Sequence, residues 1–345
     1  MSKTIKNCYL EKLTFDHLLK AYLRVKKGKS LKKKLIVYEM SLENNLNNLL
    51  YTLKEEKYHP APYREFTIYE PKMRLIKSLP IKDRIVHQWY IEEFIKPYIV
   101  KRFISDTYAC LENRGTHKAA YQVKRFMRIK RYERKNYYIL KCDIKKYFYS
   151  IDKNILFKLM QKYIKDQKLL NLTKNIIFDE VSLKGIPIGN YTSQYFANIY
   201  LNELDQFIKQ DLKLKYYVRY MDDFIILVDT KKEAQDLLEK IRSFLKEHLE
   251  LELNSKSRYY PNHQGVNFCG YVIFEDYLLI RKRSKKDINK KIKAWNIAYF
   301  NSKLNEDYVR SSINSWLAHI SHADTYRLRR KYLQKMLFIE KEEES

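Results

Sequence analysis

The chain has 345 residues, 45% hydrophobic and 14% aromatic, and Lys+Arg 68 against Asp+Glu 41 leave a formal net charge of +27. That much apolar surface can offset the entropy of folding, which excludes a disordered basic tail, and 6 Gly with 7 Pro exclude a collagen-like or linker-dominated chain. The positive excess fits a partner that is a polyanion, either nucleic acid or an anionic membrane surface.

In chain order, the beginning (MSKTIKNCYLEKLTF) has no apolar leader, and no stretch approaches the roughly 18 apolar residues of a membrane span, so nucleic acid is expected and a membrane is not. Residues 1–58 predict helices: a basic stretch around Lys26 to Lys34, then Leu42, Leu46, Leu49, Leu50 and Leu53 at helical spacing. From Pro60 to Pro80, short runs with β-branched and aromatic residues (Phe66, Ile68, Tyr69, then Leu75, Ile76) predict a hairpin. Arg84 to Val100 returns to helical spacing, and Thr116 is a fair N-cap for a basic helix running to about Arg131. Tyr137 to Leu140 predicts a strand ending at Cys142-Asp143, followed by a helix-like segment. Residues 195–210 carry Phe196, Ile199, Tyr200, Leu204 and Phe207 at the spacing of an amphipathic helix packed on a sheet. Tyr216 to Tyr220 and Phe224 to Val228 predict two strands joined by Met221-Asp222-Asp223. A helix from Lys231 to Glu250, short strands around Phe268 to Phe274 and Tyr277 to Ile280, and a helical C-terminal region follow. In that region Ile288, Ile292, Trp295 and Tyr299 share a face, as do Val309, Ile313, Trp316, Leu317 and Ile320.

Cys8, Cys110, Cys142 and Cys269 lie far apart and form no CxxC pair, which argues against a zinc site and a disulfide framework and fits a reducing cytoplasm. His319 and His322, with no third ligand nearby in sequence, are read as surface histidines. The 31 Tyr have two readings, a biased base composition or a role in base stacking. Chemistry is concentrated elsewhere. Adjacent carboxylates at a hairpin tip repel each other where a tight turn would prefer Asn-Gly or Asp-Gly, so Asp222-Asp223 is locally unfavourable unless a cation sits there. Asp143, at the end of another strand, could supply a third carboxylate of the kind Mg²⁺ selects, suiting a two-metal site. The competing reading is an ordinary acidic turn with Asp143 as a helix N-cap.

Tyr220-Met221-Asp222-Asp223 between apolar strands, with an upstream strand ending in Asp143 followed by Phe148, resembles the palm of a reverse transcriptase. Lys72 to Ile76 (KMRLI) resembles the fingers motif and Lys141 to Asp152 (KCDIKKYFYSID) the first catalytic motif. Gly185 to Asp205 (GIPIGNYTSQYFANIYLNELD) resembles the segment lining the nucleotide pocket, and Leu253 to Ser257 (LNSKS) and Phe268 to Tyr271 (FCGY) the last palm motifs. The resemblance implies an α+β, right-hand polymerase fold. Its expected parts are a helical lead-in over 1–58, fingers over 59–115 and 151–185, a palm with an antiparallel sheet over 116–150 and 186–275, and a helical thumb over 276–345. The stretch after Tyr271 suits a thumb and is too short for an added RNase H or endonuclease domain, so polymerisation alone is expected.

Carried onto this chain, the resemblance implies that Asp143, Asp222 and Asp223 are catalytic and, with Ile144, hold two Mg²⁺ ions, Mn²⁺ being a possible substitute. It places Lys72, Arg74, Arg84, Phe148, Ile188, Gly189 and Gln194 at the deoxynucleoside triphosphate. Phe148 would be the aromatic gate against a ribose 2′-hydroxyl, or else a core aromatic; the three cations would neutralise the triphosphate, or else solvate a strand face. Phe268, Cys269, Gly270 and Tyr271 would form the primer grip, and Lys256 would protonate the leaving pyrophosphate or hold a phosphate. Ile188 stands where most reverse transcriptases carry a polar residue, and Ser193-Gln194 where they carry Ser-Pro. Together with Ser105 to Lys118 (SDTYACLENRGTHK) this resembles the enzymes of diversity-generating retroelements, which copy a template-repeat RNA with errors opposite adenine. An RNA/cDNA duplex and a small basic accessory variability protein are then the expected partners. A retron-like or phage-defence enzyme is the alternative, and an inactive RNA-binding scaffold a third reading.

Overall fold

The computed structural model describes residues 4–28, 33–69 and 73–338 and is α+β: helices with three antiparallel sheets. Its contacts divide it into two compact units, Met1–Cys110 with Cys142–Lys215 and Glu239–Ser257, and Leu111–Lys141 with Tyr216–Leu238 and Arg258–Ser345. The expected palm intervals are divided between these units, and the expected thumb interval, 276–345, falls within the second. Among the described residues no helix is long and apolar enough to cross a membrane.

In the first unit the lead-in is helical as expected: Phe15–Lys26 is capped by the Thr14 hydroxyl, which accepts from His17 N–H at 3.2 Å, and buries Leu18, Ala21, Tyr22 and Val25. Strands β1 (Arg64–Ile68) and β2 (Arg74–Ser78) form the expected hairpin, in register Arg64↔Ser78 to Ile68↔Arg74. The next helix, Ile81–Tyr90, starts earlier than Arg84 because Pro80 sits at its N-cap, and it runs on through a π-turn at Ile91–Ile95. The helix Tyr191–Gln206 departs from expectation. It reads as amphipathic but is buried nearly all round, so its polar residues must be satisfied inside: the Asn198 side-chain amide donates to Ala109 O at 2.8 Å, and Asp205 accepts from the Thr107 hydroxyl at 2.9 Å.

The second unit holds the acidic hairpin. β3 (Tyr138–Asp143), β4 (Tyr217–Tyr220), β5 (Asp223–Val228) and β6 (Arg258–Pro261) form one sheet in the order β4-β5-β3-β6, with Tyr138 to Lys141 pairing antiparallel with Pro261 to Arg258. The last two residues of β3, Cys142 and Asp143, belong to the first unit. The helix Thr116–Glu133 buries Ala119, Ala120, Val123 and Met127. Its N-cap is Gly115 at φ +131° and not Thr116, which is already helical: only glycine takes that backbone cheaply.

The segment expected as one strand from Phe268 to Phe274 is two strands. β7 (Val266–Phe268) and β8 (Tyr271–Ile273) are joined by a tight turn at Cys269-Gly270, and β9 (Leu278–Ile280) completes the second sheet. Both turn residues have positive φ, +47° and +93°, which matches the right-handed twist of a two-residue hairpin. Helices Lys282–Phe300, Glu306–Ile320 and Tyr326–Leu333 then pack around Ile288, Ile292, Trp295, Val309, Tyr332 and Met336.

Candidate active site

In the second unit, Asp222 and Asp223 sit half-buried where β4 turns into β5. Asp223 is already in the ladder opposite Tyr220, so the two turn residues are Met221 and Asp222, and Met221 is held at φ +56°. For a non-glycine residue that backbone is strained, and something must hold it. The fully buried Arg219 does, donating from Nη1 to Met221 O at 3.0 Å. The Lys141 ammonium contacts Asp223 Oδ1, and its Nζ lies 5.5 Å from the Phe268 ring centroid. Burial first, then the Asp223 charge, push the Cys269 thiol far up, with Lys141 and Arg281 pulling the other way. The acidic turn and the Phe268–Tyr271 turn are therefore neighbours, tied through Lys141.

In the first unit, Asp143 is fixed from two sides. Its carboxylate Oδ2 accepts from Asn254 Nδ2 at 3.1 Å, its N–H donates to Ser257 Oγ at 3.1 Å, and its carbonyl accepts from Asn254 N–H at 2.7 Å. Ile144 faces Leu253 in an antiparallel bridge whose bonds are made by Asp143, Lys145, Glu252 and Asn254. This is a non-hydrogen-bonded pair, and it leaves the Ile144 carbonyl out of the ladder.

The same unit builds a strap from Gly185 to Asn190. Gly185 N–H donates to Ile151 O and Ile186 N–H to Phe148 O, each at 2.8 Å, while Lys77 N–H in β2 donates to Ile188 O at 2.9 Å. The strap thus carries Ile188 and is pinned at one end to the segment after β3, at the half-buried Phe148, and at the other to the β1-β2 hairpin. Gly189 sits at φ +122°, and a Cβ there would lie 2.9 Å from both Ile76 Cγ2 and Lys77 O. Asn190 Nδ2 donates to the Tyr63 hydroxyl at 2.9 Å; Tyr63 in turn donates to Asp179, which faces the buried Lys153 ammonium.

Lys72 lies outside the described residues. Arg74 is exposed at the start of β2, and Gln194 is exposed on the Tyr191–Gln206 helix. Arg84 is engaged with the hairpin's exit, donating to Leu79 O at 2.7 Å and Ser78 Oγ at 2.6 Å. Lys256 is exposed in the loop before β6, its N–H donating to Asn254 Oδ1 at 3.1 Å. The sequence assigns no role to four contributors: Arg219, and Lys141, Asn254 and Ser257, which lie inside segments read as motifs but whose contacts with Asp223 and Asp143 the sequence does not show. His319 and His322 are not isolated surface residues either. Both are half-buried and meet His117, whose ring stacks on His322 at 3.7 Å between centroids.

The donor types on each unit are those of a hard divalent cation. Hard carboxylate oxygens and an unused backbone carbonyl are what Mg²⁺ selects, and a cation, the Lys141 ammonium, already sits on Asp223. Among the described residues no group of three or more His, Cys, Asp or Glu is arranged to hold an ion by itself.

An α+β chain with antiparallel sheets carrying these motifs in this order is a right-hand polymerase. The reverse transcriptase (RNA-dependent DNA polymerase) family model matches residues 64–273, and the chain belongs to that family: it is an RNA-directed DNA polymerase. It is similar to the Retron Ec73 reverse transcriptase of Escherichia coli, 26% identical over 302 residues that cover 81% of this chain and 90% of the retron protein. It is also similar to the group II intron-encoded protein LtrA of Lactococcus lactis subsp. cremoris, 25% identical over 309 residues, covering 67% of this chain and 50% of that one, so that it spans half of LtrA. Among solved structures, telomerase from Candida albicans with a TWJ fragment of telomeric RNA is 12% identical at a TM-score of 0.49, with 87% of this chain and 63% of that chain covered.

Proposed function

We propose that this polymerase copies RNA into cDNA by two-metal nucleotidyl transfer at Asp143, Asp222 and Asp223, and does so as the enzyme of a diversity-generating retroelement. Bound Mg²⁺, for which Mn²⁺ can substitute, supplies Lewis acidity that lowers the pKa of the primer 3′-hydroxyl and offsets charge on the triphosphate. The chain's residues supply the rest. The three carboxylates and the Ile144 carbonyl form the oxygen donor set, and Asn254 with Ser257 keeps Asp143 aimed. The primer 3′-oxygen attacks the α-phosphorus, its proton goes to solvent, and pyrophosphate leaves. Lys72 and Arg74 offset the triphosphate charge, Phe148 excludes a ribose 2′-hydroxyl, and the Phe268–Tyr271 turn positions the primer. Lys256 protonates the pyrophosphate or holds a phosphate.

The strap that carries Ile188, pinned to Phe148 O through Ile186 and to Lys77 through Ile188 itself, is the observation that supports the subtype. At that place a Gln can hydrogen-bond to the nascent pair and help hold its geometry, whereas Ile offers dispersion contacts alone, so discrimination loosens. The basic helix from Thr116, the Arg281 to Lys293 run and the Arg327 to Lys331 cluster supply cations for the template RNA and RNA/cDNA duplex, and part of this surface takes the small accessory protein. A retron-like reading is favoured by a specific finding, the match across 90% of the retron enzyme. Sequencing of cDNA made on a defined RNA separates the two: substitutions confined to template adenines, reduced in Ile188→Gln, support the first, and faithful copying in both variants supports the second. Asp223→Asn should abolish primer extension while RNA binding persists; retained extension would overturn the metal assignment.

A further inference from the structure

We propose that His319, seated by His117 and His322, is a positioning residue for the Phe268–Tyr271 turn, fastening that turn to the end of the Glu306–Ile320 helix. The inference rests on the polymerase reading, because the primer is what this turn would hold. Three elements of the second unit meet at one point. The Tyr271 ring stacks on His319 with centroids 4.8 Å apart at 23°, and its hydroxyl donates to His319 O at 2.8 Å. Having given its proton there, that hydroxyl is left to accept from His117 Nδ1, also at 2.8 Å, from the helix Thr116–Glu133. His117 stacks on His322 at 3.7 Å and 19°, and the Tyr121 hydroxyl closes the cluster at 3.0 Å from His322 Nδ1.

Gly270 is where the turn touches this seat. A Cβ there would lie 2.9 Å from His319 Cε1, so any larger residue at this position would displace the imidazole. The turn's own geometry is defined by its positive-φ pair, but where the tip sits depends on what packs against it. Here that is His319 on one side. On the other is the region of Asp223, whose charge reaches Cys269. A shift of the ring would therefore move the primer's support relative to the acidic turn.

The seat is also sensitive to protons. Two imidazoles stacked at 3.7 Å cannot both be charged without repulsion, and the charge of Arg281, at the N-cap of the Lys282–Phe300 helix, also reaches His319. Burial, then His322 and His319, hold His117 below the ordinary histidine range; burial, then His322 and Arg281, do the same for His319. Because the closed cluster favours neutral rings, its contribution is fully present above the ordinary pKa of about 6.5 and fades as pH falls through the lowered values. Tyr121 and Tyr271 are the other titratable groups facing the rings, and burial first, then Tyr121 and Cys269, push the Tyr271 hydroxyl up and keep it neutral through that range.

The test uses the full-length chain with a fluorescent DNA primer annealed to an RNA template, reading primer-template affinity by anisotropy and kcat and KM for single-nucleotide extension. His319→Ala is expected to weaken primer-template binding about tenfold while leaving KM for the deoxynucleotide within about twofold. His319→Phe keeps the stack, so affinity at pH 7.5 should largely return, and the fall in affinity between pH 7 and 5.5 should flatten because a titrating ring is gone. If His319→Ala does not fold, the Phe variant alone carries the test through its pH profile. Wild-type affinity in His319→Ala, or a wild-type pH slope in His319→Phe, overturns the proposal. A wild-type chain that extends no primer overturns the polymerase reading, whereas normal extension with unaffected variants removes only the seat.

Discussion

Replacing Asp179 by Asn strands a buried ammonium near the Gly185–Asn190 strap. The Lys153 and Asp179 side chains are 1% and 2% exposed, with Nζ 3.4 Å from Oδ1, and the remaining polar partner of Nζ is Glu180 O, also at 3.4 Å. The Tyr63 hydroxyl donates to the other carboxylate oxygen and accepts from Asn190, so this pair holds the end of the strap in place. Asparagine keeps the shape and an acceptor for Tyr63 but removes the countercharge. Breaking one side of a buried pair costs about 3–5 kcal/mol, and the long contact with a carbonyl still available puts the loss here at the low end, about 3 kcal/mol. At a urea m-value of about 3 kcal/mol/M, the unfolding midpoint of the first unit should fall by about 1 M.

Lys153→Met should behave differently. Burial raises the Asp179 carboxyl above its ordinary range, while the Tyr63 hydrogen bond and the Lys153 charge pull it back. A raised folded-state pKa means that the fold favours the neutral acid: that stability is present in acid and lost as pH rises through the raised value. Without Lys153 the carboxyl rises further, so the Lys153→Met penalty should be small near pH 4 and grow towards pH 7. The double variant should recover at least about 1.5 kcal/mol of the Asp179→Asn loss through coupling. Urea titrations followed by circular dichroism at both pH values read all three effects. An Asp179→Asn cost under about 1 kcal/mol, or a pH-independent Lys153→Met penalty, would refute the reasoning.

Phe148→Val should admit ribonucleotides, narrowing the preference for deoxynucleotides by about 10–200-fold, as read from the ratio of kcat/KM values; an unchanged ratio would make Phe148 a packing residue. Gly189→Ala puts a Cβ 2.9 Å from Lys77 O at φ +122°, so KM for the incoming nucleotide should rise and stability fall by more than about 1 kcal/mol. Template-primer affinity should fall about 10³-fold between 50 and 200 mM salt if on the order of six phosphates are contacted, and a flat salt profile would deny the basic helices that role.

Local chemistry made much of this molecule legible. The Pro60–Pro80 hairpin, the strand ending at Asp143 and the acidic hairpin follow from alternation, apolar spacing and turn residues, which act over a few positions. The Cys269-Gly270 break was not visible because Phe268 to Phe274 reads as one apolar run, and only pairing partners decide where such a run turns back. The Tyr191–Gln206 helix looked one-sided because Asn198 and Asp205 are polar; their burial depends on Ala109 and Thr107, distant in the chain.

By itself the sequence determined the class of chemistry, since paired acids at a hairpin tip, a third at a strand end and a large positive charge are local or additive properties. Tertiary structure alone decided which side chains serve those acids. Arg219 under Met221, Lys141 on Asp223, Asn254 and Ser257 around Asp143, and His319 behind Gly270 carry no role that the sequence alone assigns. Their roles come from contacts made across long stretches of chain, and hydrogen bonds and packing depend on distance in space, which no spacing in the sequence encodes.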